Sequence, residues 1–319
     1  MSKQCKTDSC KPKQGPKKLK AKSAKGKSGS KREPTIYRDI RDCNLIIEVR
    51  DARLPVSSQV RFLHSKFGSR QKVIFLTKCD LVSEDYLGSV LGYLRKQGFD
   101  VFPVWPTDSP AKLQKLFASL TEKFTPAKSL LKVMRVLIIG LPNVGKSTII
   151  NTLRKKKVTR VGDVPGVTKG RQWIKLSPHC YLMDTPGVAT LASQGKDEKR
   201  LNFAICRMIS QKEYEFAELV SHGIDLSYKS SLLKRQLRSL AHELETEPEE
   251  LLQVFESAQS SEMGFLTVFY EHLIQAFSKR FGLVLQGGRV DEERASQKCF
   301  QWIEKFILPD LDLDHIIEK

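Results

Sequence analysis

The chain has 319 residues, 40% of them hydrophobic, and a formal net charge of +18. That length admits about two domains and a sizeable core, and no uninterrupted apolar run approaches the ~18 residues of a membrane span. The seven cysteines are scattered, odd in number and without a Cys-x-x-Cys pair, which argues against a disulfide framework or a structural zinc and fits a reducing compartment.

Residues 1–34 are rich in Lys, Ser, Gly and Pro. Residues 1–35 hold twelve Lys/Arg against Asp8 and Glu33, so about +10 of the charge sits there and about +8 elsewhere. Such a segment buries too little apolar surface to offset its ordering entropy and is expected to be disordered alone. It has no apolar core of a secretory signal. A basic tail on a basic body points to a polyanion, RNA above all; the alternative is a solvated extension.

Order is expected from Ile36. Leu45–Val49 and Lys72–Thr77 read as buried strands, the first running into Asp51-Ala-Arg53-Leu-Pro55 and the second into Lys78-Cys79-Asp80. A helix of period 3.6 follows (Tyr86, Val90, Leu91, Tyr93, Leu94), then a strand over 101–104, a helix ending near Phe124 and a linker over 125–132. Val136–Ile139 is a further strand, and Trp173–Leu176 with Cys180–Met183 reads as a strand pair. From about 195 the pattern is helical only: Thr246-Glu-Pro-Glu249 is a capping-box signature before Leu251, and Phe265–Phe277 and Cys299–Ile307 are apolar-periodic, the last stopped by Pro309. Strands alternating with helices predict a mostly parallel sheet with helices on both faces. The expected division is a basic tail (1–34), an α/β domain (35–195) and an all-α domain (196–319).

Gly140-Leu-Pro-Asn-Val-Gly145-Lys146-Ser147-Thr148 lies between an apolar strand and Ile149–Leu153. In that strand–loop–helix setting G-x-x-x-x-G-K-[S/T] is a phosphate cradle. Backbone N–H groups of Asn143, Val144, Gly145, Lys146, Ser147 and Thr148 would converge on the phosphates of a nucleoside triphosphate, helped by the helix N-terminus. Lys146 would reach the β/γ-phosphates, and the Ser147 hydroxyl would ligate Mg²⁺. Thr77-Lys78-Cys79-Asp80 sits at a strand end like the Asn/Thr-Lys-x-Asp element of GTPases, where the Asp80 carboxylate would accept guanine N1–H and the exocyclic amine. Thr77, in place of the commoner Asn, should keep the contact to the phosphate loop. Asp184-Thr-Pro-Gly187 ends another strand: Asp184 would hold Mg²⁺ through water, and the Gly187 N–H would sense the γ-phosphate. Thr168, 21 residues after Ser147, is the candidate for the threonine that closes on Mg²⁺.

Ordinary GTPases run phosphate loop, switch threonine, D-x-x-G, then guanine motif; here the guanine motif comes first. With that order, and with Asp51–Pro55, Thr77–Asp80, Gly140–Ser147, Gly162–Thr168 and Asp184–Val188 matching, the chain resembles the circularly permuted GTPases of the RbgA/YlqF type over roughly residues 36–310. The Gln-Gly-Gly288 turn is also similar. The resemblance implies a circularly permuted P-loop GTPase domain, an all-α C-terminal domain that grips ribosomal RNA, and GTP as substrate. It further implies Mg²⁺, with Lys146, Thr168 and Gly187 in the catalytic roles, and a large ribosomal subunit precursor with its rRNA and proteins as partner. A mitochondrial compartment is expected, with nucleolus or cytosol as the alternative; the protein is expected to be monomeric.

Two departures bear on mechanism. Val188 stands where many GTPases have the glutamine that orients water, and the relatives' N-terminal His segment is missing, so intrinsic hydrolysis is expected to be slow and ribosome-stimulated. A GTP-gated RNA-binding scaffold that hydrolyses little is the alternative. The base-pocket Ser-Ala element is replaced by Val104-Trp-Pro-Thr-Asp108. Asn143 matches the asparagine with which K⁺-dependent GTPases hold a cation near the phosphates; the other reading is an Asn selected for its backbone conformation. Arg154–Lys157 reads as a phosphate-backbone contact or a solvated helix end, and Lys229, Lys234, Arg235 and Arg238 are a similar candidate for RNA.

Overall fold

The computed structural model describes residues 35–61, 65, 67, 68, 70–125, 133–154, 172–184 and 197–316. Residues 35–319 form one compact unit. Its centre is a six-stranded sheet in the order β3-β2-β1-β4-β6-β5, with β1 Leu45–Asp51, β2 Gln71–Thr77, β3 Asp100–Pro103, β4 Met134–Ile139, β5 Gln172–Ser177 and β6 Cys180–Asp184. All neighbours pair parallel except β5 with β6. β1 is buried along its whole length. Leu-Ile-Ile-Glu-Val is therefore apolar except at Glu48, whose carboxylate is paired with Arg50 at 2.7 Å, and does not alternate, as expected of a strand covered on both faces.

Successive strands wind outward from β1 in one direction (β2, β3), whereas β4 returns to its other side and winds the opposite way (β6, β5). The order reverses between β1 and β4. In open α/β sheets the crevice at such a reversal, beyond the carboxyl ends of the strands, is where ligands bind. The segments after β1, β2 and β4 all leave the sheet at that edge.

Helices cover both faces. α1 (Thr35–Asp42) and α2 (Glu84–Lys96) belong to one side: Ile40 packs with Ile46, Leu137 and Ile139, while Tyr86, Leu87, Val90 and Leu94 pack on Ile74 and Leu76. α3 (Pro110–Lys123) and α4 (Lys146–Arg154) take the other, against Leu45, Ile47, Val49, Val73, Phe75, Val136 and Ile138. Ser83 and Ser109 cap α2 and α3, their hydroxyls accepting from Tyr86 N and Lys112 N, and Pro110 occupies the first turn of α3, where its missing N–H costs nothing.

After β6 the described residues are helical: α5 (Asp197–Ile205), α6 (Phe216–Lys229), α7 (Leu232–Leu244), α8 (Pro248–Gln259), α9 (Phe265–Phe281) and α10 (Glu292–Phe306). They share one continuous apolar core with the second sheet face. α6 and α10 approach closely at Gly223, where an added Cβ would lie 3.1 Å from Ile303. One local expectation is corrected. The N-cap of α8 is Glu247, without a side-chain cap bond, and Thr246 bonds the Glu250 carboxylate instead of capping. α10 begins seven residues before Cys299, its N-terminus capped by the Asp291 carboxylate accepting Arg294 N. α9 continues past Phe277 to Phe281 and stops at Gly282, which takes φ +64. Among the described residues no helix is long and apolar enough to cross a membrane.

Residues 309–316 return to the sheet. Pro309 O accepts Ser83 N at 2.9 Å, and the Asp314 carboxylate accepts Val56 N at 2.6 Å and Ser57 N at 2.9 Å. Ile316 is buried beside Ala52, Leu76 and Cys79.

Candidate nucleotide site

β4 delivers Gly140 to the reversal point. A Cβ there would meet Val49 O at 2.6 Å and Val144 Cγ2 at 2.9 Å, so only glycine lets the loop pass β1. Asn143 and Gly145 then take positive φ (56° and 97°), and turns of this kind direct successive N–H groups into an anion-binding concavity. α4 opens at Lys146, and the first helical bond runs from Ile149 N to Gly145 O at 3.1 Å. The Lys146 ammonium folds back to donate to Leu141 O at 2.5 Å and is buried; it lies against the loop it would serve. Val144 is buried, Ser147 half-buried and Thr148 exposed.

The second segment arrives from β2. The Thr77 hydroxyl lies 2.6 Å from Val144 O and 3.0 Å from Arg50 O, so its single proton joins the guanine-motif strand to the phosphate loop or to β1. Gly145 sits against the same side chain, its position for a Cβ 3.4 Å from Thr77 Cγ2. The expected loop contact of Thr77 is therefore made by a hydroxyl. Lys78 adopts a left-handed backbone (φ 56°, ψ 33°) ahead of a 3₁₀ turn, Cys79–Leu81. Cys79 turns inward, donating to Leu76 O at 3.2 Å, and burial pushes its thiol up to about 12. Asp80 is exposed. The 104–108 segment lies alongside, with Val104 N on Leu76 O at 2.7 Å and Asp108 accepting Trp105 N at 3.3 Å.

Asp184 ends β6 level with Ile138, two residues before Gly140. Thr168, Gly187, Val188 and Lys155–Lys157 lie outside the described residues.

Residues 27–194, more than half the chain, match the family model described as RsgA GTPase, and residues 135–257 match that described as 50S ribosome-binding GTPase. The chain belongs to the circularly permuted GTPases of the YlqF type. It is a GTPase, with GTP as its substrate. "Ribosome biogenesis GTPase A" of Bacillus pumilus is 30% identical over 224 residues, 67% of this chain and 77% of that protein. "Nucleolar GTP-binding protein 2" of Saccharomyces cerevisiae is 29% identical over 285 residues, covering 86% of this chain and 52% of that one. Among solved structures, GDP-bound YlqF superposes with a TM-score of 0.56 at 22% identity, over 88% of this chain and 98% of that one. GNP-bound YlqF from T. maritima gives 0.52 at 24%, over 85% and 94%. The two structures share the fold of this GTPase.

A set of residues around the GTPase's phosphate loop was not assigned a role from sequence. The Asn143 amide donates to Arg207 O at 2.8 Å, just beyond α5, and Arg207 itself holds Glu304 of α10 through two bonds of 2.8 and 2.7 Å. Arg53 Nη2 donates to Cys206 O at 2.9 Å. Residues 206 and 207 thus touch both the loop after β1 and the phosphate loop. The sequence signal was the Asp51-Ala-Arg53 run itself; nothing in the spacing pointed to positions 206 and 207.

Proposed function

We propose that this GTPase acts in assembly of the large ribosomal subunit, its nucleotide state governing how the helical segment engages rRNA. The observation that carries the reading is the Thr77–Val144 hydrogen bond, which holds the phosphate loop against the Thr77–Asp80 segment; the ribosome-biogenesis relatives support the cellular role. In this reading Asn143, Val144, Gly145, Lys146, Ser147 and Thr148 cradle the phosphates, Thr77 and Lys78 frame the base, and Asp80 selects guanine. Lys146 and the Gly187 N–H meet the γ-phosphate.

Ser147, Thr168 and Asp184 are the proposed Mg²⁺ residues. The fit rests on donor chemistry, hydroxyl and carboxylate oxygens suiting a hard cation, and on the Ile138–Asp184 register beside the loop. A Mg²⁺ held by these residues would supply charge neutralisation at the phosphates of the nucleotide. Asn143 is proposed as a K⁺ ligand; its amide nitrogen is engaged with Arg207 O, which fixes the amide's orientation. Lys234, Arg235 and Arg238, exposed on α7, are proposed rRNA phosphate contacts.

We assign the mitochondrial ribosome as the target, on the family resemblance; the likeness to nucleolar GTP-binding protein 2 favours the nucleolus as the second reading. Imaging a tagged copy separates the two. The activity is tested by GTP turnover with and without large-subunit precursors, in KCl and in NaCl. Stimulation by the precursor is expected, greater in KCl. Neither basal nor stimulated turnover would leave a GTP-gated scaffold in its place.

A further inference from the structure

β1 carries Asp51 to the sheet edge fully buried. Its Oδ1 accepts Arg53 N and Arg53 Nε, each at 3.0 Å, and its Oδ2 accepts Arg53 Nη2 at 2.8 Å and Lys78 Nζ at 3.1 Å. A buried carboxylate needs a cation, and the bidentate Arg53 already supplies one. The second cation therefore needs a separate reason. Lys78 lies between Thr77 and Asp80, in a left-handed conformation that residues with a Cβ adopt only where the surroundings hold them. The surroundings here are the loop after β1: Asp51 grips the Lys78 ammonium, and Ala52 N donates to Thr77 O at 2.9 Å. Residues 51 and 52 thus hold the entry to the Cys79–Leu81 turn, at Thr77 O and at the Lys78 ammonium.

We propose that Asp51 is a positioning residue of the base site: by holding Lys78 it sets the turn that presents Asp80 to guanine. The inference rests on the reading of Thr77–Asp80 as the guanine segment. It gives the Asp51-Ala-Arg53 run a function in nucleotide recognition. Through Arg53 and Cys206 O, the same carboxylate also ties the base site to the start of the helical segment.

The test is titration of the full chain with fluorescent GDP, using the wild type, D51N, K78M and the double variant. Asparagine keeps the shape and an acceptor for Arg53 N but loses the charge that holds Lys78. D51N should weaken binding about tenfold, the scale of a charge-assisted hydrogen bond, and K78M by at least as much. If Asp51 acts through Lys78, the double variant binds no more weakly than K78M alone. Wild-type affinity in D51N overturns the proposal, as do effects that multiply in the double variant, the signature of a merely structural role. Unchanged affinity in K78M would instead remove Lys78 from the base site, and the guanine reading with it. Should D51N not fold, K78M alone decides, and wild-type affinity in that variant overturns the proposal.

Discussion

Replacing Thr77 with valine removes one hydroxyl and keeps the shape of a buried side chain. In the wild type that hydroxyl lies 2.6 Å from Val144 O and 3.0 Å from Arg50 O, and Val144 has no solvent exposure. Val144 O therefore loses its donor where water cannot replace it, at a cost of about 1–3 kcal/mol. At about 2–4 °C per kcal/mol for a domain of this size, a loss near the middle of that range lowers Tm by roughly 4–8 °C. The bond also fixes the carbonyl that precedes Gly145, so GDP affinity should fall about five- to tenfold, or ~1–1.4 kcal/mol. Scanning calorimetry and GDP titration read both quantities. Thr77→Ser keeps the hydroxyl and should recover most of each. The reasoning fails if Thr77→Val matches the wild type in both, or if Thr77→Ser falls as far as Thr77→Val.

Gly140→Ala brings a Cβ to 2.6 Å from Val49 O and 2.9 Å from Val144 Cγ2. The loop must shift off β1, so GDP binding should be lost and stability reduced by about 2 kcal/mol or more, read by titration and denaturant unfolding; a variant that binds normally contradicts the close approach. Burial alone would push the Asp51 carboxyl up, but the Arg53 guanidinium and Lys78 ammonium outweigh it and bring it from 3.8 to about 2. The unfolded chain therefore takes up this proton first as pH falls. The contribution is complete above about pH 5 and fades as pH drops through about 4 toward 2, so urea midpoints of D51N should decline less steeply than the wild type's over that window; parallel declines refute it. Burial pushes the thiols of Cys43, Cys79 and Cys206 up to about 12 and that of Cys180 to about 11, and raises that of Cys299. Iodoacetamide at pH 8 should spare these five in the folded protein and modify them after unfolding, as peptide mapping would show; native labelling of Cys206 contradicts its burial.

The sheet was legible because its central strands are mostly apolar runs of the right length, and each meets at its end a residue whose chemistry marks a strand end: Asp51 closing β1, Lys78 after β2, Gly140 after β4. The direction of winding was not written in any one strand. It follows from β4 pairing with β1 rather than with β3, a long-range choice that only the permuted motif order hinted at. Helix boundaries drifted where one local signal displaced another. Thr246 looks like an N-cap, yet its hydroxyl is spent on Glu250. α10 begins at Glu292 because Asp291 caps it and because Ala295 and Ser296 are buried, a start that the apolar period beginning at Cys299 hides. Within the site, Thr77, Asn143 and Lys146 could be named from spacing. Arg207 could not: its backbone carbonyl meets Asn143, and a carbonyl is common to every residue type.

The central claim is that residues 77–80 and 140–148 enclose one guanosine nucleotide. Calorimetric titration of the wild type and Asp80→Asn with GDP, ADP and XDP tests it most directly. On this account the aspartate at position 80 would accept from the guanine N1–H and amine, whereas an asparagine would offer a donor to the xanthine carbonyl. The wild type should therefore favour GDP over ADP by at least about a hundredfold, and Asp80→Asn should shift that preference to XDP. Equal affinity of the wild type for GDP and ADP would contradict the account.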